Sequence, residues 1–172
     1  MKIAAGIVLA LFLVLCIGAL VLPGRVHVER SRTVAAKPEQ LYPLLANLRG
    51  GWPKWSPFGK AHDAQLQETF SGPQTGVGAT ESWTGGSMPP GRLVLTRADP
   101  ASGVEFRIEM ENGVQIAGRI ALQPESTATR VTWADDVDLG RGILAGWLGL
   151  MLRATLGPSE EKALQQLERA AR

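Results

Sequence analysis

Residues 104–122 read VEFRIEMENGVQIAGRIAL. Val104, Phe106, Ile108 and Met110 alternate with Glu105, Arg107 and Glu109. A period of two puts the apolar set on one face of a strand and the charged set on the other. Asn112-Gly113 then supplies residues that tolerate positive φ, the strongest short-range signal for a hairpin. The return strand begins at Val114. An antiparallel, half-buried pair is written in this single run.

The same pattern extends in both directions. Residues 64–70, AQLQETF, place Leu66 and Phe70 on one face, and GPQTGVG makes a turn. VGATESW puts Val77, Ala79 and Trp83 in phase. Pro89-Pro90-Gly91 turns into RLVLTR, Ala98-Asp99-Pro100 into VEFRIEM, and Pro124-Glu125-Ser126 into TATRVTWADDVD. Six consecutive strands with short turns predict an antiparallel meander. Upstream, VHVERSRTVAA over 26–36 reads as a first strand with one wet face. Pro38 suits the first turn of a helix, and Leu41, Leu44, Leu45 and Leu48 follow at helical spacing. Pro43 inside that pattern predicts a kink or a late start. The last 31 residues predict a long helix. Its apolar face is Leu144, Trp147, Leu148 and Met151, with Gly142, Gly146 and Gly149 opposite, in line with Arg153. Gly157-Pro158 is expected to kink or break it, with Ser159 restarting a more polar stretch. Strand, helix, six strands, long helix make an α+β domain. Its economical packing is a curved antiparallel sheet of about seven strands wrapped around the C-terminal helix.

At 172 residues there is room for that domain and an appendage. The appendage is residues 3–22, IAAGIVLALFLVLCIGALVL, without charge or proline. Its length matches the roughly 30 Å hydrocarbon core of a bilayer at about 1.5 Å per residue. A cleaved signal peptide is the rival, but its apolar region usually runs only about 7–15 residues and no clear A-x-A site follows. The expectation is one transmembrane helix: residues 1–24 as anchor, 25–172 as domain, a single-pass protein of the cell membrane. The side of the membrane stays open. Arg25, Arg30, Arg32 and Lys37 after the span lean towards a cytoplasmic domain, and Lys2 in a short leading region leans the other way.

Composition excludes several chemistries. Lys+Arg 18 against Asp+Glu 16 gives +2, with no basic run for nucleic acid. Cys16 is the single cysteine, so neither an intrachain disulfide nor a multi-cysteine metal site exists. His27 and His62 lie far apart, and no metal or cofactor is expected. GPQTGVG lacks the following Lys-Ser or Lys-Thr of a phosphate loop, and no G-x-S-x-G occurs. Asp135, Asp136 and Asp138 lack the rest of a calcium loop and read as a solvated strand end. Glu68 is in phase with Leu66 and Phe70, and Glu81 with Ala79 and Trp83. Both carboxylates therefore fall on the concave face, where burial would raise their pKa and suit them to acid/base work. A register slip of one residue would move both outside.

Three stretches in order carry a resemblance: VERSRTVAAKPEQLYPLLANLRGGWPKWSPF, then FSGPQTGVGATESW, then ATRVTW before the final helix. With them the chain resembles the SRPBCC superfamily of START/Bet v 1-like helix-grip proteins, in its polyketide cyclase/dehydrase-like bacterial branch. The resemblance covers about residues 25–171. Pro43, Glu81 (where an aromatic is common) and Pro158 depart from it. It implies a helix-grip fold with a ligand cavity between sheet and C-terminal helix. The segment after the first helix would then arch over one end, hanging Trp52 and Trp55 at the pocket mouth. Two other readings of this pair stand beside it: sealing the end of the core, or, with Arg49, Lys54 and Lys60, touching a membrane interface. The remaining wall would be Phe70, Trp83, Phe106, Met110, Trp133 and Trp147, which are ordinary core on the simpler reading. The expected function is binding of a hydrophobic small molecule or lipid without catalysis. A cyclase/dehydrase-like enzyme using Glu68 or Glu81 is the alternative, weakened by the lack of an inward histidine or tyrosine. A third reading docks the GILAGWLGLML face on a protein or the bilayer.

Overall fold

The computed structural model describes residues 24–140 and 144–172, with Gly6, Ile7, Phe12, Leu13, Cys16, Gly18 and Leu22 of the N-terminal segment. Most of the expected transmembrane span, residues 3–22, lies outside the described residues, as does Gly142. Among the described residues no helix is long and apolar enough to cross a membrane.

Seven strands among the described residues form one antiparallel sheet: β1 (Arg25–Val34), β2 (Gln67–Ser71), β3 (Thr80–Thr84), β4 (Gly91–Asp99), β5 (Gly103–Met110), β6 (Gln115–Pro124) and β7 (Thr129–Asp138). Their order is β1-β7-β6-β5-β4-β3-β2, a six-strand meander with the first strand added at the far edge. The hairpin forms at Gly113, with φ +87° and its N–H donated to Met110 O at 2.9 Å. On β4 the register shifts between Leu95 and Arg97, a bulge of the kind that adds twist and curvature. β2 and β3 begin later than their sequence pattern implies. Leu66 is buried just before β2, whereas Val77 lies in the preceding turn and is exposed.

Helix α1 (Pro38–Ala46) starts at Pro38, not late, with Lys37 N–H donating to Gln40 Oε1 at 2.9 Å. Pro43 is accommodated because it sits on the exposed side. Helix α2 (Ala145–Ala170) runs as one element through Gly157-Pro158. Pro158 also faces solvent, so it removes one helical hydrogen bond without driving its ring into the core.

The face of α2 that packs is the reverse of the one expected. Gly146, Gly149 and Gly157 are buried with Glu160, Ala163, Leu164 and Leu167, while Leu148 is 52% and Met151 69% exposed. The physical reason is close approach. A side chain at Gly157 would overlap the Arg30 guanidinium from β1, and one at Gly146 would overlap Leu22. Glycine lets the helix backbone come down on its neighbours. The helix then locks onto β1 through Arg32 and Glu168, whose Nε and Oε2 lie 2.8 Å apart.

Candidate ligand cavity

The tryptophans after α1 answer a local need before any ligand. The last carbonyls of a helix have no partner within it. Trp52 Nε1 donates to Leu45 O at 2.7 Å and Trp55 Nε1 to Leu44 O at 3.0 Å. Gly76 N–H takes Ala46 O at 2.9 Å. Residues Trp52–Lys54 form a 3₁₀ turn that folds both indoles back under the helix end. There the rings join an aromatic cluster: Trp52 and Trp55 at 5.1 Å, Trp52 and Phe106 at 5.4 Å, Trp55 and Trp133 at 5.5 Å. Trp55 is fully buried and stands behind the cavity, not at its mouth. Trp52 is buried too but presents an edge to the cavity.

The cavity lies between the concave side of the sheet and the segment that follows α1. Trp83, Leu93, Phe106, Ile108, Met110, Ile116 and Trp133 wall it from the strands, Leu48 and Trp52 close one side, and Leu156 of α2 closes another. Ser56, Phe58, Gly59, Lys60 and Ala61 cover it from the outside. Phe58, 45% exposed, sits in that cover. The space measures about 160 Å³. That is comparable with an engineered apolar cavity of roughly 150 Å³ that admits benzene, and below the roughly 300–1,000 Å³ of pockets for drug-sized ligands.

Glycines opposite aromatics shape the wall. Phe106 pairs across the sheet with Gly118, and Trp83 with Gly91. A side chain at Gly118 would overlap both the Phe106 ring and the Asp135 carboxylate. Gly118→Ala is therefore expected to destabilise the fold by about 1–3 kcal/mol through overpacking. Urea denaturation reads this, and an unchanged midpoint would show that the ring has room to move. Trp83 holds its place by donating Nε1–H to Pro89 O at 2.8 Å.

Four carboxylates matter here. Glu68 and Glu81 both line the cavity, as the strand phase implies. Glu68 pairs with Trp83 and Glu81 with Phe70, so all four share one face. Glu68 Oε1 accepts the Lys60 backbone N–H. Burial, with the Glu68 charge second, pushes Glu81 up to about 7. The third is Asp135, which corrects the reading of a solvated strand end. It is 6% exposed, lines the cavity, and accepts Trp133 Nε1–H at 3.0 Å. Burial raises its pKa to about 6 against that hydrogen bond. Asp136, on the other face, pairs with His27 at 2.8 Å, and Asp138 with Arg25 at 3.2 Å, so the three aspartates never converge. Among the described residues no cluster fit to hold a metal forms. The fourth is Glu160 on α2, 2% exposed, with no hydrogen-bond partner for either oxygen. Burial, then the nearby Asp135 charge, pushes it up to about 8 despite Arg30.

Two expected wall residues lie elsewhere. Phe70 packs under the Arg49 guanidinium, 5.3 Å from the ring centre, outside the cavity. Trp147 lies against Gly18 at the other end of α2, because the helix presents its opposite face to the sheet. Asp135 and Glu160 were missed although both were in phase. Asp135 alternates with Val131, Trp133 and Val137, and Glu160 precedes Ala163, Leu164 and Leu167 at helical spacing.

A sequence profile described as polyketide cyclase / dehydrase and lipid transport matches residues 25–172. The chain belongs to that family. No curated protein matches it. Solved structures share the fold of this polyketide cyclase / dehydrase and lipid transport domain at low identity. A Thermus thermophilus protein is 21% identical over 84% of this chain and 96% of its own, with a TM-score of 0.60. The di-domain ARO/CYC StfQ from the steffimycin biosynthetic pathway is 17% identical over 86% of this chain and 51% of its own, at 0.62. Norcoclaurine synthase of Thalictrum flavum, a point mutant with a transition state analogue, is 12% identical over 86% and 94%, also at 0.62. At such identities the likeness is one of fold, the SRPBCC helix grip.

Proposed function

We propose that this domain binds a small, mainly apolar molecule in the cavity between sheet and α2, without transforming it. The observation that carries this is the largely apolar space, walled by aromatic and aliphatic side chains with Glu68, Glu81 and Asp135 as its acidic groups. Its volume suits one ring with a short arm. A lipid chain would need the cover of residues 56–61 to swing out. Full-length protein in detergent is to be examined by native mass spectrometry for a co-purifying small molecule, then titrated with a hydrophobic fluorescent probe. Each large aromatic side chain buries about 150–250 Å², and burial contributes about 25 cal/mol per Å². Trp83→Ala should therefore weaken probe binding more than tenfold, whereas Phe70→Ala, outside the cavity, should change it less than twofold. Equal losses in both would remove the cavity from the account.

Acid/base catalysis of the cyclase or dehydrase kind is the second reading, and the proton affinity of Glu81 favours it. A carboxyl poised near 7 in an apolar site can give or take a proton at neutral pH. Turnover of the co-purifying molecule by wild type but not by Glu81→Gln or Glu68→Gln, with affinity kept, would establish it over simple binding.

Residues 3–22 are proposed to tether the domain to the cell membrane, for their length and lack of charge. Gly146 of α2 is buried against Leu22, which puts the start of α2, with Leu148 and Met151 exposed on its opposite face, next to the end of this segment. The full-length protein should stay with the membrane fraction through alkaline carbonate. A mature N-terminus within residues 19–25 would make the segment a cleaved signal instead.

A further inference from the structure

We propose that the ligand is an amine, a single-ring or similarly small apolar molecule whose ammonium group sits on Asp135 at the inner end of the cavity. This rests on the cavity reading above and names the chemical class that the cavity selects. Three carboxylates line the space, Glu68, Glu81 and Asp135, against one basic side chain, Lys60, which is exposed. A carboxylate ligand inside the cavity would therefore meet more like charge than opposite charge. Asp135 is the most enclosed of the three, and its neighbours in the wall are Trp133, Phe106, Ile116 and Leu156. A carboxylate set among indole and phenyl rings offers an ammonium group both an ion pair and cation–π attraction. Gly118, directly across the strand pair, has no side chain, and the Phe106 ring and the Asp135 carboxylate come down together over its backbone.

A second observation comes from behind Asp135. Glu160 is almost wholly buried, neither of its oxygens has a partner, and it feels the Asp135 charge. The local positive group is Arg30 of β1, whose guanidinium lies over Gly157 and donates to Glu29 O instead of to Glu160. The corner thus holds two acids whose nearest basic side chain is turned to another acceptor. Burial raises the proton affinity of both acids, and the Asp135 charge raises that of Glu160 further, so the corner resists holding two negative charges and an ammonium group would relieve it. The charged groups that act on this corner are Glu160 from α2, Arg30 and His27 from β1, and Asp136 from β7, while Gly118 and Ile116 of β6 bring no charge.

The test uses full-length protein in detergent and three probes of one size: benzylamine, benzyl alcohol and benzoate, titrated calorimetrically against empty-micelle blanks. At pH 7.5 benzylamine should bind at least tenfold more tightly than benzyl alcohol, and benzoate more weakly than both. Lowering the pH to 5 should erase the preference for the amine, since Asp135 then takes up a proton. Asp135→Asn, nearly the same shape, should bring benzylamine down to the alcohol, and unchanged alcohol binding shows that the variant is folded. Equal binding of amine and alcohol, or a preference that survives Asp135→Asn, overturns the amine inference and leaves the cavity reading standing. Binding of none of the three overturns the cavity reading, and the amine inference with it.

Discussion

Trp55→Ala is expected to cost about 3–5 kcal/mol of stability, the usual range for emptying a buried tryptophan site. Trp55 is fully enclosed and stacks edge-on against Trp133 and tilted against Trp52. Its removal opens a hole between the Trp52 and Trp133 rings and leaves Leu44 O without its donor. Trp55→Phe separates the two contributions. It keeps most of the ring packing but strands the carbonyl, which should cost about 1–3 kcal/mol as an unsatisfied buried acceptor. Far-UV circular dichroism in urea reads both without depending on tryptophan fluorescence. A Trp55→Ala loss below about 1 kcal/mol, under the usual range for such sites, would mean that α1 does not depend on its indole cap. Pro53→Ala, which touches the same turn on its exposed side, serves as the mild comparison.

How far the residues alone disclosed this architecture depends on the range of the interaction that fixes each part. Strand alternation and the Asn112-Gly113 turn are local, and the sheet formed as they dictate. Glu68 and Glu81 point inward because the β2–β3 register keeps them in phase with Trp83 and Phe70. The α2 face went the other way for a reason that apolar counting misses. Glycine contributes no side chain to a hydrophobic stripe, yet its absence of bulk lets the helix approach Arg30 and Leu22. The two tryptophans likewise answer carbonyls seven and eleven residues upstream, a demand that exists only once α1 has ended. Asp135 looked solvated because two further aspartates follow it closely. Only the space above Gly118, on another strand, shows that it turns inward.

Glu160 makes the second large effect one of pH. An acid whose proton affinity is higher in the folded state binds more protons folded than unfolded, so stability falls as pH rises between the two values. For Glu160 that window runs from the ordinary 4.5 to about 8. Asp135, raised to about 6, and Glu81, raised to about 7, act in the same direction over the lower part of the window. Each pKa step is about 1.4 kcal/mol, so ionising Glu160 alone should remove on the order of 4 kcal/mol between about pH 5 and pH 9. The cost arises because neither oxygen finds a donor and Asp135 repels the new charge. Urea midpoints measured at steps from pH 5 to pH 9 should therefore decline for the wild type. Glu160→Gln removes the titration while keeping the shape, and its profile should be flatter, crossing above the wild type near pH 8. An ammonium ligand at Asp135 would draw the same corner towards its ionised form, so saturating benzylamine should offset part of the decline at pH 8. Parallel profiles for wild type and Glu160→Gln would place the Glu160 carboxylate in contact with water, and the unpartnered acid pair would cease to be a feature of the site.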